Sequence, residues 1–130
     1  MLELHGSVYR NYCTKCREKY SLEYLFNYPE PVPKCRKCGG IVRPDVTLYE
    51  EDLDMRVVSK AVSHIKKADM LIVGGTSLSV HPAAGLIYYY KGDRLVLINK
   101  SSTSYDQKAN LIISDSIGKM LDKLAFSLRK

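Results

Sequence analysis

The amino-acid sequence predicts an α/β protein, in which part of a doubly wound parallel sheet is joined to a small zinc-binding ribbon. Two observations carry this prediction. In the second half of the chain, short apolar segments alternate with helical patterns, as in parallel sheets covered by helices. In the first half, four cysteines form two Cys-x2-Cys pairs with 18 residues between them. The 130 residues have room for one domain, or for one domain and a small module.

The net charge is +6, and basic residues are concentrated around the cysteines. Cations at this place would offset the negative charge of a four-thiolate zinc site. We favour this interpretation over a nucleic-acid surface, because no aromatic residues are evidently interleaved for stacking. The apolar runs are too short to cross a membrane and no secretory signal is evident, so we expect a soluble, cytoplasmic protein without a membrane partner.

The cysteines, Cys13, Cys16, Cys35 and Cys38, fit the spacing of a structural zinc site. A tight turn lets each pair point both sulfurs at one ion, and Gly39 and Gly40 allow the backbone dihedral angles of such a turn. Two disulfides are the alternative, but nothing else in the sequence indicates an oxidising compartment. Four protein ligands leave no open coordination position, so this zinc would be structural rather than catalytic.

The second half of the chain gives the elements of the sheet. Acidic residues at 50–52 predict the start of a helix, which Leu53, Val57, Ala61 and Ile65 continue at four-residue spacing. The later elements are a strand at 70–73, a helix from Pro82 to Tyr90, and strands at 95–98 and 111–113. Ser114 or Asp115 would cap a last helix, whose apolar face would consist of Ile117, Met120, Leu121, Leu124 and Leu128.

Small or polar residues follow each of the three strands. They are Gly75, Thr76 and Ser77; Asn99, Lys100 and Ser101; and Ser114, Asp115 and Ser116. Because ligands bind beyond the carboxyl ends of parallel strands, these residues suit the ribose and adenine of a nucleotide. The alternative is that they are ordinary turns. No G-x-G-x-x-G or P-loop pattern accompanies them, so the phosphate-binding part of a dinucleotide site is missing from this sequence.

Several stretches together resemble the sirtuins, which are NAD-dependent protein lysine deacylases. The stretches are ELHG (Glu3 to Gly6), the two cysteine pairs, IVRPDVTLYEE (Ile41 to Glu51), GTSLSVHPA (Gly75 to Ala83) and LINKSST (Leu97 to Thr103). In sirtuins ELHG lies near the middle of the catalytic domain, so the chain resembles the C-terminal half, beginning just before the catalytic histidine. The resemblance implies a segment at 1–12 that leads from the histidine, a zinc ribbon at 13–43, and half of a Rossmann-like NAD-binding domain at 44–130.

The resemblance also implies roles for individual residues. His5 would be the general base that deprotonates the ribose of NAD, although an isolated histidine outside this context is more often structural. NAD would be bound by Gly75, Thr76, Ser77, Asn99, Lys100, Ser101 and Ile117. An acetylated lysine peptide or protein would insert as a strand between Val46, Thr47, Leu48 and Tyr49 on one side and Ser79, Val80 and His81 on the other. The acyl group passes to the ribose, which is the chemistry of a transferase or hydrolase.

The chain departs from the family at Glu50, where sirtuins usually have glycine. A glutamate reaches a positive backbone φ less cheaply than glycine, so the peptide loop could be altered. The alternatives to deacylation are a non-catalytic zinc-ribbon module that binds a partner, a nucleic-acid-binding ribbon, and a remnant without a function. Because half a sheet exposes an edge and apolar surface, we expect weak or no activity alone, and self-association or binding of a complementary N-terminal sirtuin fragment.

Overall fold

A computed structural model of the chain describes residues 1–127, which form two compact units, one at Met1–Val58 and one that starts at Ser59. Leu128, predicted on the apolar face of the last helix, lies outside the described residues. Within residues 1–127, none of the helices combines the length and the apolar character that crossing a membrane requires.

The first unit contains an antiparallel sheet with the strand order β2-β1-β3. Its elements are β1 (Gly6–Cys13), β2 (Lys19–Tyr20), helix α1 (Leu22–Phe26) and β3 (Val42–Val46). The pairing of β1 with β3 starts at Gly6 and Val46, and its register shifts between Ser7 and Asn11. The buried core of this unit consists of Cys13, Cys35 and Val42, so the cysteines occupy the place that aliphatic side chains have in most domains.

Helix α2 covers Met55–Lys67, and the prediction that it opens at the acidic residues 50–52 is wrong. The Asp54 carbonyl accepts hydrogen bonds from the amides of Val57 and Val58, at 2.9 and 3.0 Å, and its carboxylate accepts one from the Arg56 amide at 2.8 Å. Asp54 therefore caps the helix. Glu50 has a φ of 68°, which is incompatible with a right-handed helix, and the Glu51 carboxylate pairs with Arg43.

The second unit contains the predicted parallel sheet, with the strand order β4-β5-β6. Strands β5 (Leu95–Ile98) and β6 (Leu111–Ile113) have the predicted bounds, and β4 (Leu71–Gly74) lies one residue later than predicted. The segment Ala83–Tyr89 is a 3-10 helix that Pro82 precedes, and Asp106–Lys108 is another. Helix α3 covers Ile117–Ser127. These observations confirm the α/β fold class.

The core of the second unit surrounds the middle strand, β5. Leu97 and Ile98 are each only 1% exposed, and the cluster around Leu97 includes Leu78, Ala84, Ile87, Tyr90, Leu95 and Tyr105. Tyr90 is the member of the Tyr88–Tyr90 run that faces the core, and its hydroxyl donates to the Asp69 carbonyl at 3.1 Å. Helix α3 has no fully buried residue among those described, and Leu121 and Leu124 on its predicted apolar face are exposed.

Candidate functional site

The four cysteines of the first unit form a cluster whose Sγ atoms all lie within 4.8 Å of one another. The Sγ atoms of Cys13 and Cys38 are 3.5 Å apart, and those of Cys16 and Cys35 are 3.6 Å apart. Tetrahedral zinc with bonds of ~2.3 Å requires sulfurs about 3.8 Å apart, so the donor set fits a structural zinc. All four cysteines are free, so the structure contradicts the alternative of two disulfides.

Each cysteine pair sits in a turn with the same backbone hydrogen bond. The Arg17 amide donates to the Cys13 carbonyl at 3.0 Å, and the Gly39 amide donates to the Cys35 carbonyl at 2.9 Å. Both donors are left-handed, with φ of 63° for Arg17 and 69° for Gly39. The prediction that Gly39 provides a special backbone dihedral angle is therefore confirmed. Arg17 adopts the same conformation with its guanidinium 4.1 Å from the centre of the Tyr12 ring.

Gly40 is required for a different reason, which the sequence did not indicate. A Cβ atom on Gly40 would lie 2.9 Å from the Cys13 Sγ and 3.4 Å from the Cys38 Sγ. A side chain at this position would therefore push against two of the four sulfurs. The close approach of backbone and sulfur is a property that only glycine allows here.

Hydrogen bonds prepare two of the sulfurs for metal binding. Burial alone would raise the pKa of Cys35, but hydrogen bonds from the Tyr20 hydroxyl and from the Lys37 and Cys38 amides lower this pKa to about 6. Burial would also raise the pKa of Cys13, but hydrogen bonds from the Cys16 and Lys15 amides and with the Cys38 and Cys16 side chains together lower it. Thiolate is the form that binds metal. Tyr20 was missed in the sequence: its hydroxyl donates to the Cys35 Sγ at 3.1 Å and accepts from the Arg36 amide at 2.8 Å.

The second unit has a cavity of about 340 Å³ beyond the carboxyl ends of its strands. All seven residues predicted to bind NAD line it: Gly75, Thr76, Ser77, Asn99, Lys100, Ser101 and Ile117. Ser102 and Thr103, which follow β5, and Asp115 and Ser116, which follow β6, also line it. The expected meeting of polar strand ends at one edge is therefore present, while the binding role of each residue stays a prediction.

Asn99 organises this cavity. Its Oδ1 accepts a hydrogen bond from the Thr76 amide at 3.1 Å, which joins the ends of β4 and β5. Its Nδ2 is buried and has no hydrogen-bond partner among the described residues. A buried amide donor left unpaired is costly, and a ligand acceptor would satisfy it. Together with hydroxyl groups and the apolar Ile117, this donor fits the adenosine part of NAD.

Close packing shapes the cavity at Gly74, the last residue of β4. A Cβ atom there would overlap the Ile117 side chain and lie 3.0 Å from the Ile98 carbonyl oxygen. The next residue, Gly75, has a φ of 66°. These two glycines let the backbone turn closely past Ile117 at the start of α3.

In the first unit, His5 lies beside the residues predicted to bind peptide. The His5 carbonyl accepts a hydrogen bond from the Thr47 amide at 3.0 Å, directly after the pair Gly6 and Val46. Gly6 is required here, since its φ is 76° and a Cβ atom would overlap the Asp45 carbonyl. The His5 side chain is exposed, as are those of Leu48 and Tyr49. An exposed histidine thus lies at the end of the β1–β3 pair together with exposed residues predicted to bind peptide, and the role of each stays a prediction.

The other predicted peptide segment belongs to the second unit. Ser79, Val80 and His81 are exposed, and the Ser79 Oγ is hydrogen-bonded to the Ser77 Oγ at 2.6 Å. The Val80 carbonyl accepts from the Ala84 amide at 2.9 Å, at the start of the 3-10 helix. These contacts order the segment within its own unit, and its role in peptide binding stays a prediction.

Comparisons with known proteins agree on one family. The model of the Sir2 family matches residues 1–82. An NAD-dependent protein deacetylase of Clostridium acetobutylicum is 60% identical over 120 residues, which cover 92% of this chain and 49% of that protein. Another from Clostridium tetani is 60% identical over 121 residues, or 93% of this chain and 49% of that protein. This chain therefore spans about half the length of the curated relatives it matches.

A solved structure described as "Sir2-p53 peptide-NAD+" is similar in fold. Its TM-score is 0.85 and its identity 30%, over 97% of this chain and 54% of that chain. An identity of 30% supports a relationship in sequence as well as in fold.

Proposed function

Because the chain belongs to the Sir2 family, we propose that it provides the C-terminal half of an NAD-dependent protein lysine deacetylase. The observation that carries the proposal is the strand-end cavity, which all seven residues assigned to NAD line together. Deacetylase relatives at 60% identity and a similar structure with NAD and a peptide support it.

The chain's own residues suggest a division of tasks. Gly75, Thr76 and Asn99 would hold the adenosine end of NAD, with the unpaired Asn99 Nδ2 as donor. When bound, NAD supplies the ribose carbon that accepts the acyl oxygen as nicotinamide leaves. His5 would accept the proton of a ribose hydroxyl, since histidine is the residue type suited to proton transfer near neutral pH.

The substrate would be an extended peptide or protein segment that carries an acetylated lysine. The strand β3 lies at the edge of its sheet, and exposed Leu48 and Tyr49 follow it. An added peptide strand can pair with such an edge through its backbone, which makes the binding tolerant of peptide sequence. A similar solved structure is described as "Sir2 bound to acetylated peptide" and covers 97% of this chain at a TM-score of 0.85.

The cysteine cluster would hold one zinc ion that is structural. Its four thiolates complete a tetrahedron, so no position remains for substrate or water. The free cysteines also favour a reducing compartment, and we therefore propose a cytoplasmic location.

Full activity would need a second half that supplies a phosphate-binding loop. The coverage of about half of each relative supports this, as do the exposed Ile72 on the outer strand β4 and the exposed apolar residues of α3. The partner at this surface would be a complementary N-terminal sirtuin segment, or a second copy of the chain when that segment is absent. The overall reaction would transfer the acyl group from the lysine nitrogen to the ribose of NAD, with cleavage of the bond between ribose and nicotinamide and consumption of one water.

The test joins the chain to the N-terminal half of the Clostridium acetobutylicum relative and measures nicotinamide release from NAD with an acetylated peptide. We expect release that depends on the peptide, loss of release in His5→Ala, and a raised KM for NAD in Asn99→Ala. The matched control is His64→Ala, an exposed histidine on α2. A folded, NAD-binding protein whose release is absent, or is unchanged by His5→Ala, would contradict the proposal.

A further inference from the structure

The loop after β3 is closed by a pair of side chains. Arg43 Nη1 donates to Glu51 Oε1 at 2.5 Å, and Arg43 Nη2 donates to Glu51 Oε2 at 3.0 Å. Two parallel hydrogen bonds of this kind fix both the distance and the relative orientation of the two groups. The side chains of Arg43 and Glu51 are 27% and 40% exposed, so this pair is partly shielded from solvent.

The same two side chains also bind the backbone of the loop. Arg43 Nη2 donates to the Val46 carbonyl at 2.7 Å, and the Glu51 carboxylate accepts from the Leu48 amide at 2.9 Å. Between these contacts, the Thr47 amide donates to the His5 carbonyl at 3.0 Å. Three successive residues of the loop are therefore fixed, two by the ion pair and one by the histidine segment.

The loop has a conformation that its sequence does not favour. Glu50 has a φ of 68°, a left-handed conformation that glycine adopts more easily. The Glu51 amide donates to the Leu48 carbonyl at 3.2 Å across this residue. Since the backbone at Glu50 has no intrinsic preference for this turn, this backbone hydrogen bond and the side-chain contacts together hold it.

We propose that Arg43 and Glu51 are positioning residues, which hold residues 46–50 in the shape that accepts an acetyl-lysine peptide beside His5. This inference rests on the proposed function for the identity of the peptide. The ion pair does not touch the substrate. It fixes the backbone on which Leu48 and Tyr49 present themselves, 59% and 99% exposed, to an incoming strand. Hydrogen bonds from Arg43 and from the Leu48 amide lower the pKa of Glu51 to about 2, so the pair stays ionised under physiological conditions.

The experiment uses Glu51→Gln, which keeps the size and an acceptor oxygen but removes the charge, and Arg43→Lys, which keeps the charge but removes the fork. In the chain itself, we expect the Leu48 amide to exchange its hydrogen at least about tenfold faster, while amides of β1 stay protected. In the protein joined to the N-terminal half, we expect the KM for acetylated peptide to rise about tenfold, with the KM for NAD unchanged. Glu18→Gln is the matched control, since it breaks the exposed 3.2 Å pair with Lys37 outside the loop.

The outcomes separate the two proposals. A wild-type joined protein that releases no nicotinamide contradicts the proposed function. The exchange rate of the Leu48 amide tests the positioning role of Arg43 and Glu51, whether or not the protein is active. Unchanged Leu48 exchange in both variants overturns that role. So does an active protein whose peptide KM stays the same or falls, or one whose KM values for peptide and NAD rise equally. If the β1 amides lose protection in one variant, that variant is misfolded and the other variant provides the test. If they lose protection in both variants, the ion pair has a general structural role and the proposal is overturned.

Discussion

The two units are held together by different means. In Met1–Val58, two of the three buried core residues are cysteines of the cluster, and the strands around them are antiparallel. In the unit that starts at Ser59, the core is built from aliphatic and tyrosine side chains around a middle parallel strand. The first unit therefore depends on a few atoms at fixed positions, and the second on apolar area spread over many residues.

This difference follows from size and connectivity. A short antiparallel ribbon cannot bury enough apolar surface to offset the conformational entropy of its chain, and a metal ion that binds only the folded form supplies the missing free energy. The second unit buries Leu97 and Ile98 almost completely, so it has a hydrophobic core of its own. A perturbation directed at the metal should thus distinguish the units sharply.

Removal of metal should give the largest effect. We expect a strong chelator to abolish hydrogen-exchange protection of β1 and β3 amides while β5 amides keep most of theirs, because structural zinc sites supply about 10–16 kcal/mol of apparent binding free energy. The measurement is amide exchange by NMR before and after chelation, with one equivalent of zinc added back as the control. Equal loss of protection in β1 and β5, or no loss in β1, would contradict the comparison.

The second prediction tests the other unit. Leu97→Ala removes a side chain that is 1% exposed and should cost about 3 kcal/mol in the free energy of unfolding, from lost burial and from the cavity that remains. Leu111→Ala is the matched control in the same sheet, since Leu111 is 52% exposed, and it should cost less than about 1 kcal/mol. Urea unfolding of the zinc-loaded protein measures both. Similar costs for the two variants would show that β5 does not carry the core.

Much of this contrast could be predicted from the sequence. The cysteine spacing indicated the cluster because four ligands of one ion must converge, and the apolar runs indicated β5 and β6 because buried parallel strands are continuously hydrophobic. The predicted start of α2 was wrong because Glu51 forms an ion pair with Arg43, and a helical sequence pattern does not reveal such a tertiary contact. The family's motifs and the polar strand ends together predicted the residues around the cavity.

What escaped the sequence depends on single distances. The role of Tyr20 rests on its hydroxyl reaching the Cys35 sulfur, and that of Gly40 on the space beside the Cys13 sulfur. Neither residue has a spacing that distinguishes it from an ordinary tyrosine or turn glycine. Such roles become visible only when the path of the backbone between the two cysteine pairs is known.

Gly40→Ala and Gly39→Ala should distinguish two reasons for glycine in the first unit, a steric contact with the sulfurs and a left-handed backbone conformation. At Gly40, the new Cβ would press on the Cys13 Sγ, so we expect zinc affinity to fall about tenfold to a hundredfold, as when other supports of a metal site are lost. At Gly39, no atom lies within 4 Å of a new Cβ, so only the left-handed conformation is penalised, by about 1–2 kcal/mol. Competition with a coloured chelator measures the affinity.

The cobalt spectrum distinguishes the two glycine variants further. Gly40→Ala should shift the cobalt–thiolate absorption, because the sulfur positions change, whereas Gly39→Ala should keep the wild-type spectrum. If both variants lose the same affinity and keep the same spectrum, the close contact at Gly40 is not what makes glycine necessary there.

The smallest expected effect is at Glu50, a residue of the first unit whose backbone is strained and which is not part of the cysteine cluster. Glu50→Gly relieves a left-handed φ of 68° and should stabilise the first unit by at most about 1 kcal/mol, since glycine's greater freedom in the unfolded chain offsets part of the gain. The gain should be larger in the background of Glu51→Gln, where the ion pair no longer holds the turn.

Leu78→Gly is the contrasting variant in the second unit. Leu78 has a φ of 54° but is only 7% exposed. The packing that the variant loses should therefore outweigh the backbone strain that it relieves, and the protein should be destabilised. Denaturant unfolding of Glu50→Gly, Glu51→Gln, the variant with both changes and Leu78→Gly measures these differences. A stabilising Leu78→Gly would show that backbone strain, rather than apolar burial, dominates the second unit at this position.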